Sequence, residues 1–258
     1  MSMDYAAKST VDEIRARFDN DVERFSNLET GQVAAKASLE HMTLVAEAAV
    51  ATTPRLLEQG PAICDIGCGA GNYTLRLLRQ IAAAGGPASS AGITLIDLSR
   101  PMLDRAVERI TAEGVAASQL ETIQADIRDV PLGVDRFDTV IAAQCLHHLR
   151  GDAEWRAVYA SIGRALRPGG SCWVSDTIDH QNAGVRGLVR QRWADYLESI
   201  DGPDYRDHVM GYVDREDTPR PIVDQLTMMR SAGIDRLDVL SVDTRFAVFG
   251  GVKSGDSA

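Results

Sequence analysis

The sequence predicts an α/β fold in which helices cover both faces of a mainly parallel sheet. Short apolar runs alternate with segments of helical periodicity, and the runs lie at 63–66, 92–96, 120–124, 137–143 and 171–177. This alternation is typical of βαβ units joined by right-handed crossovers. A glycine-rich turn follows the first run, and acidic or amide side chains follow the next three. Because ligands bind outside the carboxyl ends of parallel strands, we expect a ligand site at this edge.

Length and composition are those of a globular chain with a substantial core. The 258 residues are 45% apolar and 25% charged, and the net charge is −10 without a cluster of Lys or Arg, so we expect no large nucleic-acid partner. Residues 1–10 contain Asp4 and Lys8 and no apolar run, and the longest uncharged stretch, 80–96, is built of small residues. We therefore expect no secretory signal, no membrane span and a cytoplasmic protein.

The cysteines and histidines show no metal-binding spacing. The four cysteines contain no C-x-x-C pair, and Cys64 and Cys172 lie inside apolar runs, as small buried hydrophobic residues do. His41, His180 and His208 are too scattered to indicate a metal site. We expect no bound metal.

The first 60 residues are predicted to form a helical lid on the core. Apolar residues recur at helical spacing over 8–26, and a second helix over 39–50 ends before Pro54, with the polar stretch 26–32 between them. In one interpretation the first helix closes over a bound ligand. In the other, both helices are plain packing elements.

The turn at 67–71 has the residues of a ligand loop, but not those of a dinucleotide site. Its glycines permit positive φ and let a flat ligand lie against the backbone. Asn72 stands where a dinucleotide fingerprint has its third glycine, and Asp65 would place a negative charge beside a pyrophosphate. An acid here instead attracts a cation such as the sulfonium of S-adenosylmethionine. A nicotinamide-dependent oxidoreductase is therefore disfavoured.

The second and third strands end in groups that suit a nucleoside. Asp97 can accept hydrogen bonds from both ribose hydroxyls, because adjacent diols need paired acceptors. Asp126, followed by a backbone N–H, suits the donor and acceptor edge of adenine, and Ile127 can pack on the ring face. The alternative for Asp97 is a surface acid at the start of a helix.

Residues 178–218 interrupt the alternation and are predicted to form an inserted substrate cap. Tyr205, Arg206 and Tyr212 in this segment could bind an acidic or aromatic acceptor, although an exposed charged flap fits the pattern equally well. The core, which occupies 61–177, then resumes over 219–252 with a helix and two strands, at 237–242 and 245–250. We expect these strands to be an antiparallel pair, followed by a flexible tail at 253–258.

Taken together, these motifs resemble those of the class I, Rossmann-like, S-adenosylmethionine-dependent methyltransferases. The resemblance rests on Asp65-x-Gly67-x-Gly69-x-Gly71, on Asp97, on Asp126-Ile127 and on Leu166-Arg167-Pro168-Gly169-Gly170. It implies a seven-stranded sheet with the last strand antiparallel and S-adenosylmethionine as cofactor. The cofactor residues it implies are Asp65, Gly67, Cys68 and Gly69 near the methionine, Asp97 and Leu98 at the ribose, Asp126 and Ile127 at the adenine, and Gln144 on the near side.

Further features are similar to a narrower branch of small-molecule methyltransferases and to their relative, carboxy-S-adenosylmethionine synthase. They are Phe18-Asp19-x-x-Val22, the run 125–129 and the segment 216–233. Arg206 falls about where that synthase keeps a carboxylate-binding arginine. Because the glycine turn and His147-His148 look more like an ordinary methyltransferase, the synthase stays an alternative.

Methyl transfer from a sulfonium needs alignment, exclusion of water and, for some acceptors, a base. His147 and His148 follow the fourth strand, where either could take a proton from an acceptor hydroxyl or amine. Packed and solvated histidines are the alternative. We therefore predict methyl transfer to oxygen or nitrogen of a small molecule, with S-adenosylhomocysteine as product. A non-catalytic binding protein is a further alternative, and the oligomeric state, a homodimer included, is left open.

Overall fold

The computed structural model describes residues 7–27 and 36–255, in which helices flank one central sheet. The strands are β1 (Ala62–Ile66), β2 (Gly92–Asp97), β3 (Leu120–Gln124), β4 (Phe137–Ala143), β5 (Leu166–Thr177), β6 (Ile234–Asp243) and β7 (Phe246–Lys253). The helices are α1 (Val11–Asn20), α2 (Val22–Ser26), α3 (Lys36–Thr52), α4 (Asn72–Ala83), α5 (Arg100–Ala112), α6 (Asp152–Ala165), α7 (Ala183–Glu216) and α8 (Ile222–Ser231).

The seven-stranded sheet has the order β3-β2-β1-β4-β5-β7-β6, which confirms the predicted α/β class. Strands β1 to β5 pair in parallel, and β7 is antiparallel to both of its neighbours, β5 and β6. Several strand boundaries differ from the prediction: β6 spans Ile234–Asp243 where 237–242 was expected, and β7 spans Phe246–Lys253 where 245–250 was expected. β5 begins at Leu166 instead of Ser171, because Leu166 pairs with Phe137 across a register shift.

The core consists of two apolar layers, one on each face of the sheet. On one face, α6 and α8 bury Trp155, Tyr159, Met229 and their neighbours. On the other, α3, α4 and α5 bury apolar side chains that include Ile81 and Leu103. Burial on both faces explains why the central strands read as continuous apolar runs. Because the crossover connections lie on these faces, the carboxyl ends of β1 to β5 are left for a site.

The predicted single helix over 8–26 is in fact two helices, which corrects the sequence-based boundary. α1 begins with a capping box between Thr10 and Glu13, and the helix breaks at Asp21, where φ is −114° and ψ is 23°. Short polar side chains such as Asp compete with helical hydrogen bonding, so a break here is physically reasonable. Most of the predicted turn at 26–32, and residues 256–258 of the predicted tail, lie outside the described residues.

The segment between β5 and β6 is largely helical, although its sequence predicted only a cap. α7 is interrupted at Asp201 and Gly202, and Gly202 has a φ of +79° that favours glycine. Pro203 begins the next helical stretch, where its missing N–H costs nothing. The break turns the second half of α7 back over the molecule, so that its last residues hydrogen-bond to the loop after β4.

Gly163 allows α6 and α8 to pack closely, and its replacement is expected to destabilise the fold. A Cβ at Gly163 would lie 2.0 Å from the carbonyl oxygen of Ala232. We expect Gly163→Ala to lower the free energy of unfolding by about 1 to 3 kcal/mol, as overpacking does. Gly187→Ala in α7, where a Cβ would meet nothing within 4 Å, is the control and should be neutral or slightly stabilising. Urea denaturation measures both, and equal effects would contradict the packing argument.

Candidate functional site

A cavity of about 1550 Å³ lies at the carboxyl ends of the parallel strands. Its floor is the glycine turn and the ends of β2 and β4, and its walls include Ile14 and Phe18 of α1 and Tyr212 of α7. A site for one drug-sized ligand usually has a volume of roughly 300 to 1000 Å³. The cavity is therefore large enough for two ligands side by side.

The glycine turn presents bare backbone to this cavity. Gly67 has a φ of +64°, and a Cβ there would lie 2.3 Å from Cβ of Cys145, so no other residue fits. Gly69 has a φ of +49° and nothing within 4 Å of where its Cβ would be. The N–H of Cys68 donates to the carbonyl of Ile96, which fixes the turn against β2. The turn thus leaves open a cradle that a flat ligand can occupy.

Asp65 does not line the cavity, which corrects the expectation that it faces a ligand. Its side chain is buried beneath the turn, where the hydroxyl of Thr74 donates to Oδ2 at 2.6 Å. Burial raises the pKa of Asp65 to about 7. Its Oδ1 atom has no hydrogen-bond partner among the described residues. The acid therefore acts on a ligand only through the turn, and its charge is titratable near neutrality.

Asp97 holds the turn and also faces the cavity. Its Oδ2 accepts a hydrogen bond from the N–H of Gly69 at 2.8 Å, and its Oδ1 accepts one from the N–H of Ser99 at 2.9 Å. Burial raises the pKa of this carboxyl above its usual value. Each oxygen retains lone-pair capacity for a further donor, as a ribose diol requires. Leu98 lines the cavity beside it.

Asp126 and Ile127 line the cavity at the end of β3, in agreement with a nucleoside-binding edge. The Arg128 guanidinium bonds Asp126 through Nε and Nη2 and also pairs with Glu154. Burial tends to raise the pKa of Asp126, but the hydrogen bonds from Arg128 outweigh it, so the pKa lies below its usual value. The carboxylate is therefore ionised and can accept a hydrogen bond from an amino group.

Gln144 lines the cavity in a strained backbone conformation. Its φ is +52°, although it is not a glycine, and its N–H donates to the carbonyl of Ser175 at 2.8 Å. Such strain is often retained at functional sites. Here it directs the chain away from β4 and over the glycine turn, where Cys145 contacts Gly67.

His147 is held between two carboxylates that the sequence analysis did not identify. Its Nδ1 lies 2.5 Å from Oδ1 of Asp176, and its Nε2 lies 3.7 Å from Oδ1 of Asp217. Burial would lower the pKa of His147, but the carboxylates Asp176 and Asp217 raise it to about 9. The ring is therefore a cation at neutral pH. Asp176 lies near the carboxyl end of β5, a position that the strand-end rule could have identified.

His148 has the opposite electrostatic environment. Its ring centroid lies 4.2 Å from that of His147, and its Nδ1 lies 3.5 Å from the carbonyl oxygen of Glu216. Burial, the charge on His147 and the nearby Arg17 guanidinium hold the pKa of His148 well below its usual value. A neutral ring that donates from Nδ1 to Glu216 keeps Nε2 as an acceptor. His148 can therefore accept a proton at neutral pH.

The nitrogen and oxygen donors of His147, His148 and Asp217 all lie within 4.8 Å of one another. Two of the separations, to Asp217, are 3.7 and 4.0 Å. Ligands bound to one metal at 2.0 to 2.2 Å lie roughly 3.0 to 3.5 Å apart. The separations are wider than this, so the three side chains would have to move together to hold one ion. The absence of a metal stays a prediction.

The predicted acceptor residues divide into two groups. Tyr205 and Tyr212 line the cavity, and the ring of Tyr212 lies 4.7 Å from the guanidinium carbon of Arg17. Arg206 lies outside the cavity wall and pairs with Glu198 and Asp207 on the exposed side of α7. The structure therefore does not place Arg206 at an acceptor site, although it lies beside Tyr205 in the sequence. Consecutive helical residues point in different directions, which explains the difference.

The charge on His147 should make stability depend on pH. Because its folded pKa is raised to about 9 from the usual 6.5, its contribution is full below pH 6.5 and is lost as the pH rises through 9. We expect unfolding free energy to fall by about 1 to 3 kcal/mol over that window. Urea denaturation of His147→Gln should show a weaker dependence, whereas His180→Gln, outside the cavity wall, should keep it. An unchanged slope in His147→Gln would contradict the ion pair.

A family model described as a methyltransferase domain matches residues 63–170 of this chain. The match begins in β1, includes the glycine turn and the strand ends just described, and finishes in β5. It therefore covers the strand ends and the histidine pair of the cavity wall, and it leaves out α1, α2 and α7, which form other parts of that wall.

Two curated relatives and a solved structure are similar to this chain. A carboxy-S-adenosyl-L-methionine synthase of Erwinia tasmaniensis is 30% identical to this chain over 135 residues. The match covers 52% of this chain and 51% of the synthase. An uncharacterized methyltransferase of Mycobacterium bovis is 29% identical to this chain over 109 residues. The match covers 42% of this chain and 47% of that protein. The matches thus span about half the length of these curated relatives.

The solved structure is magnesium protoporphyrin IX methyltransferase of Synechocystis PCC 6803, which contains S-adenosylmethionine. It superposes with a TM-score of 0.60 at 15% identity, covering 98% of this chain and 99% of that one. At 15% identity, the similarity is evidence for a shared fold alone. In the described part of the chain, each helix is too short or too polar to cross a membrane.

Proposed function

Because this chain carries the methyltransferase domain of the class I S-adenosylmethionine-dependent family, we propose that it transfers a methyl group to an oxygen or nitrogen of a small molecule. The observation that carries the proposal is the single cavity of about 1550 Å³. Nucleoside-binding groups form one part of its wall, and a histidine pair forms another. The volume supports two ligands, as a transfer between them requires.

We assign the cofactor to the strand-end groups. Gly67, Cys68 and Gly69 would hold the methionine part against bare backbone, and Asp97 with Leu98 would hold the ribose. Asp126, Ile127 and Gln144 would hold the adenine and close the near side, as their positions on the cavity wall support. The open space above Gly69 fits such a ligand. When bound, S-adenosylmethionine supplies a methyl group on a positively charged sulfur and leaves as S-adenosylhomocysteine.

The protein would contribute alignment and one proton acceptor. His148, neutral and facing the cavity, would accept the proton that an acceptor hydroxyl or amine loses. His147, held by Asp176, would keep its charge and donate from Nε2. In this assignment the two histidines have different roles, and their pKa values differ because one is paired with carboxylates and the other is not.

We also propose that the residues outside the matched region enclose the reaction. α1 and α2 would serve as a lid, because Nδ2 of Asn72, which directly follows the turn, donates a hydrogen bond to the carbonyl of Phe25 in α2 at 2.8 Å. α7 would serve as a substrate cap, since it contributes Trp193, Tyr205 and Tyr212 to the wall. Enclosure excludes water from the transfer. Finally, the net charge of −10 supports a small-molecule acceptor over a large nucleic acid, and we propose a cytoplasmic location.

Calorimetry and turnover test this function separately. The protein should bind S-adenosylmethionine and S-adenosylhomocysteine but not NAD, and binding of NAD alone would overturn the cofactor assignment. Incubation with S-adenosylmethionine and a panel of small hydroxy acids, phenols and amines should then release S-adenosylhomocysteine with one substrate class. Binding without turnover on any class would favour the non-catalytic alternative.

A carboxy-S-adenosylmethionine synthase activity is the second candidate, favoured by the similarity to the Erwinia tasmaniensis enzyme. Arg206, which falls about where that synthase keeps a carboxylate-binding arginine, lies outside the cavity wall and so does not support this candidate. Mass spectrometry of the nucleoside product separates the two functions. A carboxylated S-adenosylmethionine would support the synthase, whereas S-adenosylhomocysteine with a methylated acceptor would support the methyltransferase.

A further inference from the structure

Arg245 is a charged side chain in the acceptor part of the cavity that the function above does not use. It lies in the turn between β6 and β7 and lines the cavity. Its guanidinium carbon lies 3.6 Å from the ring centroid of Trp193 in α7 and 5.8 Å from that of Phe246. The cation therefore stacks on an aromatic face and is oriented by it.

Among the described residues, the Arg245 guanidinium has no hydrogen-bond acceptor and no ion-pair partner. The other lysine and arginine side chains on the wall are engaged within the protein. They are Lys8 with the carbonyls of Asp214 and Asp217, Arg17 with Glu216, Arg24 with Asp21, Arg128 with Asp126 and Glu154, and Arg150 with the carbonyls of Ser9 and Glu216. Arg245 is thus the lysine or arginine of this wall, among the described residues, whose charged group has no hydrogen-bond or ion-pair partner.

An open guanidinium in a partly buried position needs an explanation. Burial of a charge is costly unless the charge is paired, and a guanidinium offers a planar fork that matches a carboxylate. Asp217 lies in the electrostatic range of Arg245, but it is already beside His147 and His148. Asp214 and Asp179, the other acids near Arg245, are paired with Arg190 and Arg186. The protein therefore leaves this fork for a ligand.

We propose that Arg245 binds a carboxylate of the methyl acceptor, so that the acceptor is a small organic acid. This inference rests on the proposed function and names its substrate class. A singly charged carboxylate matches the single charge of the guanidinium, and Asp217, which lies in the electrostatic range of Arg245, further disfavours a phosphate dianion. The ligand would lie with its acid group on Arg245 and its reacting group towards the histidine pair, which lines the same cavity. This assigns to Arg245 the role that the sequence gave to Arg206.

Matched acid and amide ligands test the proposal without turnover. 4-Hydroxybenzoate, pyruvate and glycolate would each be compared with the corresponding amide, in the presence of saturating S-adenosylhomocysteine. Binding is followed by the change in tryptophan fluorescence, which reports on Trp193 because Trp193 lines the cavity whereas Trp155 and Trp173 lie in the core away from it. At least one acid should bind tenfold or more tightly than its amide. Equal binding in every pair would overturn the proposal.

Variants then assign the preference to Arg245. Arg245→Gln should abolish the preference for the acid, and Arg245→Lys should keep a weaker one because it retains charge without the fork. Affinity for S-adenosylhomocysteine should be unchanged in both. Arg206→Gln, at an arginine of α7 outside the cavity wall, is the control and should bind the acid like the parent protein. A preference that survives in Arg245→Gln would overturn the assignment.

Failure of this inference can be distinguished from failure of the proposed function. If the acid binds through Arg245 but S-adenosylmethionine is never converted to S-adenosylhomocysteine, the anion site is supported and methyl transfer is refuted. If a neutral phenol or amine is methylated and Arg245→Gln leaves its KM and kcat unchanged, methyl transfer is supported and the anion site is refuted. The binding and turnover measurements therefore answer separate questions.

Discussion

Asp97→Ala is expected to weaken binding of S-adenosylhomocysteine by about tenfold to hundredfold, or roughly 1 to 3 kcal/mol. The carboxylate has two tasks, because it accepts hydrogen bonds from Gly69 and Ser99 and faces the cavity with lone pairs to spare. Its removal leaves the N–H of Gly69 without its acceptor and the ligand without a partner for its diol. Isothermal calorimetry measures the affinity directly.

The two tasks of Asp97 can be separated by changing the ligand. A ribose role predicts that the parent protein binds the 2′-deoxy analogue of S-adenosylhomocysteine more weakly than the parent ligand, and that Asp97→Ala no longer distinguishes them. Asp104→Asn, an exposed acid paired with Arg100 in α5, is the control and should leave both affinities unchanged. An Asp97→Ala variant that still prefers the 2′-hydroxyl would remove the ribose assignment and leave only a structural role.

The fold could be predicted because its signals are local and periodic. The alternation of strands and helices and the glycine turn determine the sheet and the edge where ligands bind, and the observed order agrees with them. The failures concern boundaries. The apolar period runs through Asp21 without a break, and a helical break there depends on a single backbone conformation. The early start of β5 likewise depends on pairing with Phe137, which is distant in sequence.

The residues that line the cavity at the strand ends were also predictable, because each lies next to the end of a strand. Asp65 is the exception, since the alternation of a strand sends its side chain beneath the turn towards Thr74. The acceptor half was less predictable, because it is assembled from distant segments. Asp176, Asp217 and Arg245 meet around His147 only through the sheet order and the return of α7. A sequence shows their charge but not their convergence.

His148→Gln is expected to lower kcat by about a hundredfold to ten-thousandfold for an acceptor that must lose a proton. The loss should be independent of cofactor affinity, because His148 lines the acceptor part of the wall and the strand-end groups remain. His148 is unprotonated at pH 7 because its pKa lies well below the usual value, so it is free to accept a proton, and the same low pKa makes it a weaker base than an ordinary histidine. Turnover at saturating S-adenosylmethionine and acceptor measures the change.

His147 supplies a direct test of that assignment, because its positive charge is one cause of the low pKa of His148. His147→Gln removes the charge, so the pKa of His148 should rise and the acidic limb of the kcat profile should move to higher pH. NMR titration of the His148 ring would show the same shift without any acceptor. Asp176→Asn should act through His147, because it removes the carboxylate 2.5 Å from Nδ1. A His148→Gln variant with unchanged kcat and an unmoved pH profile would show that the proton leaves by another route, and that the histidine pair only shapes the cavity.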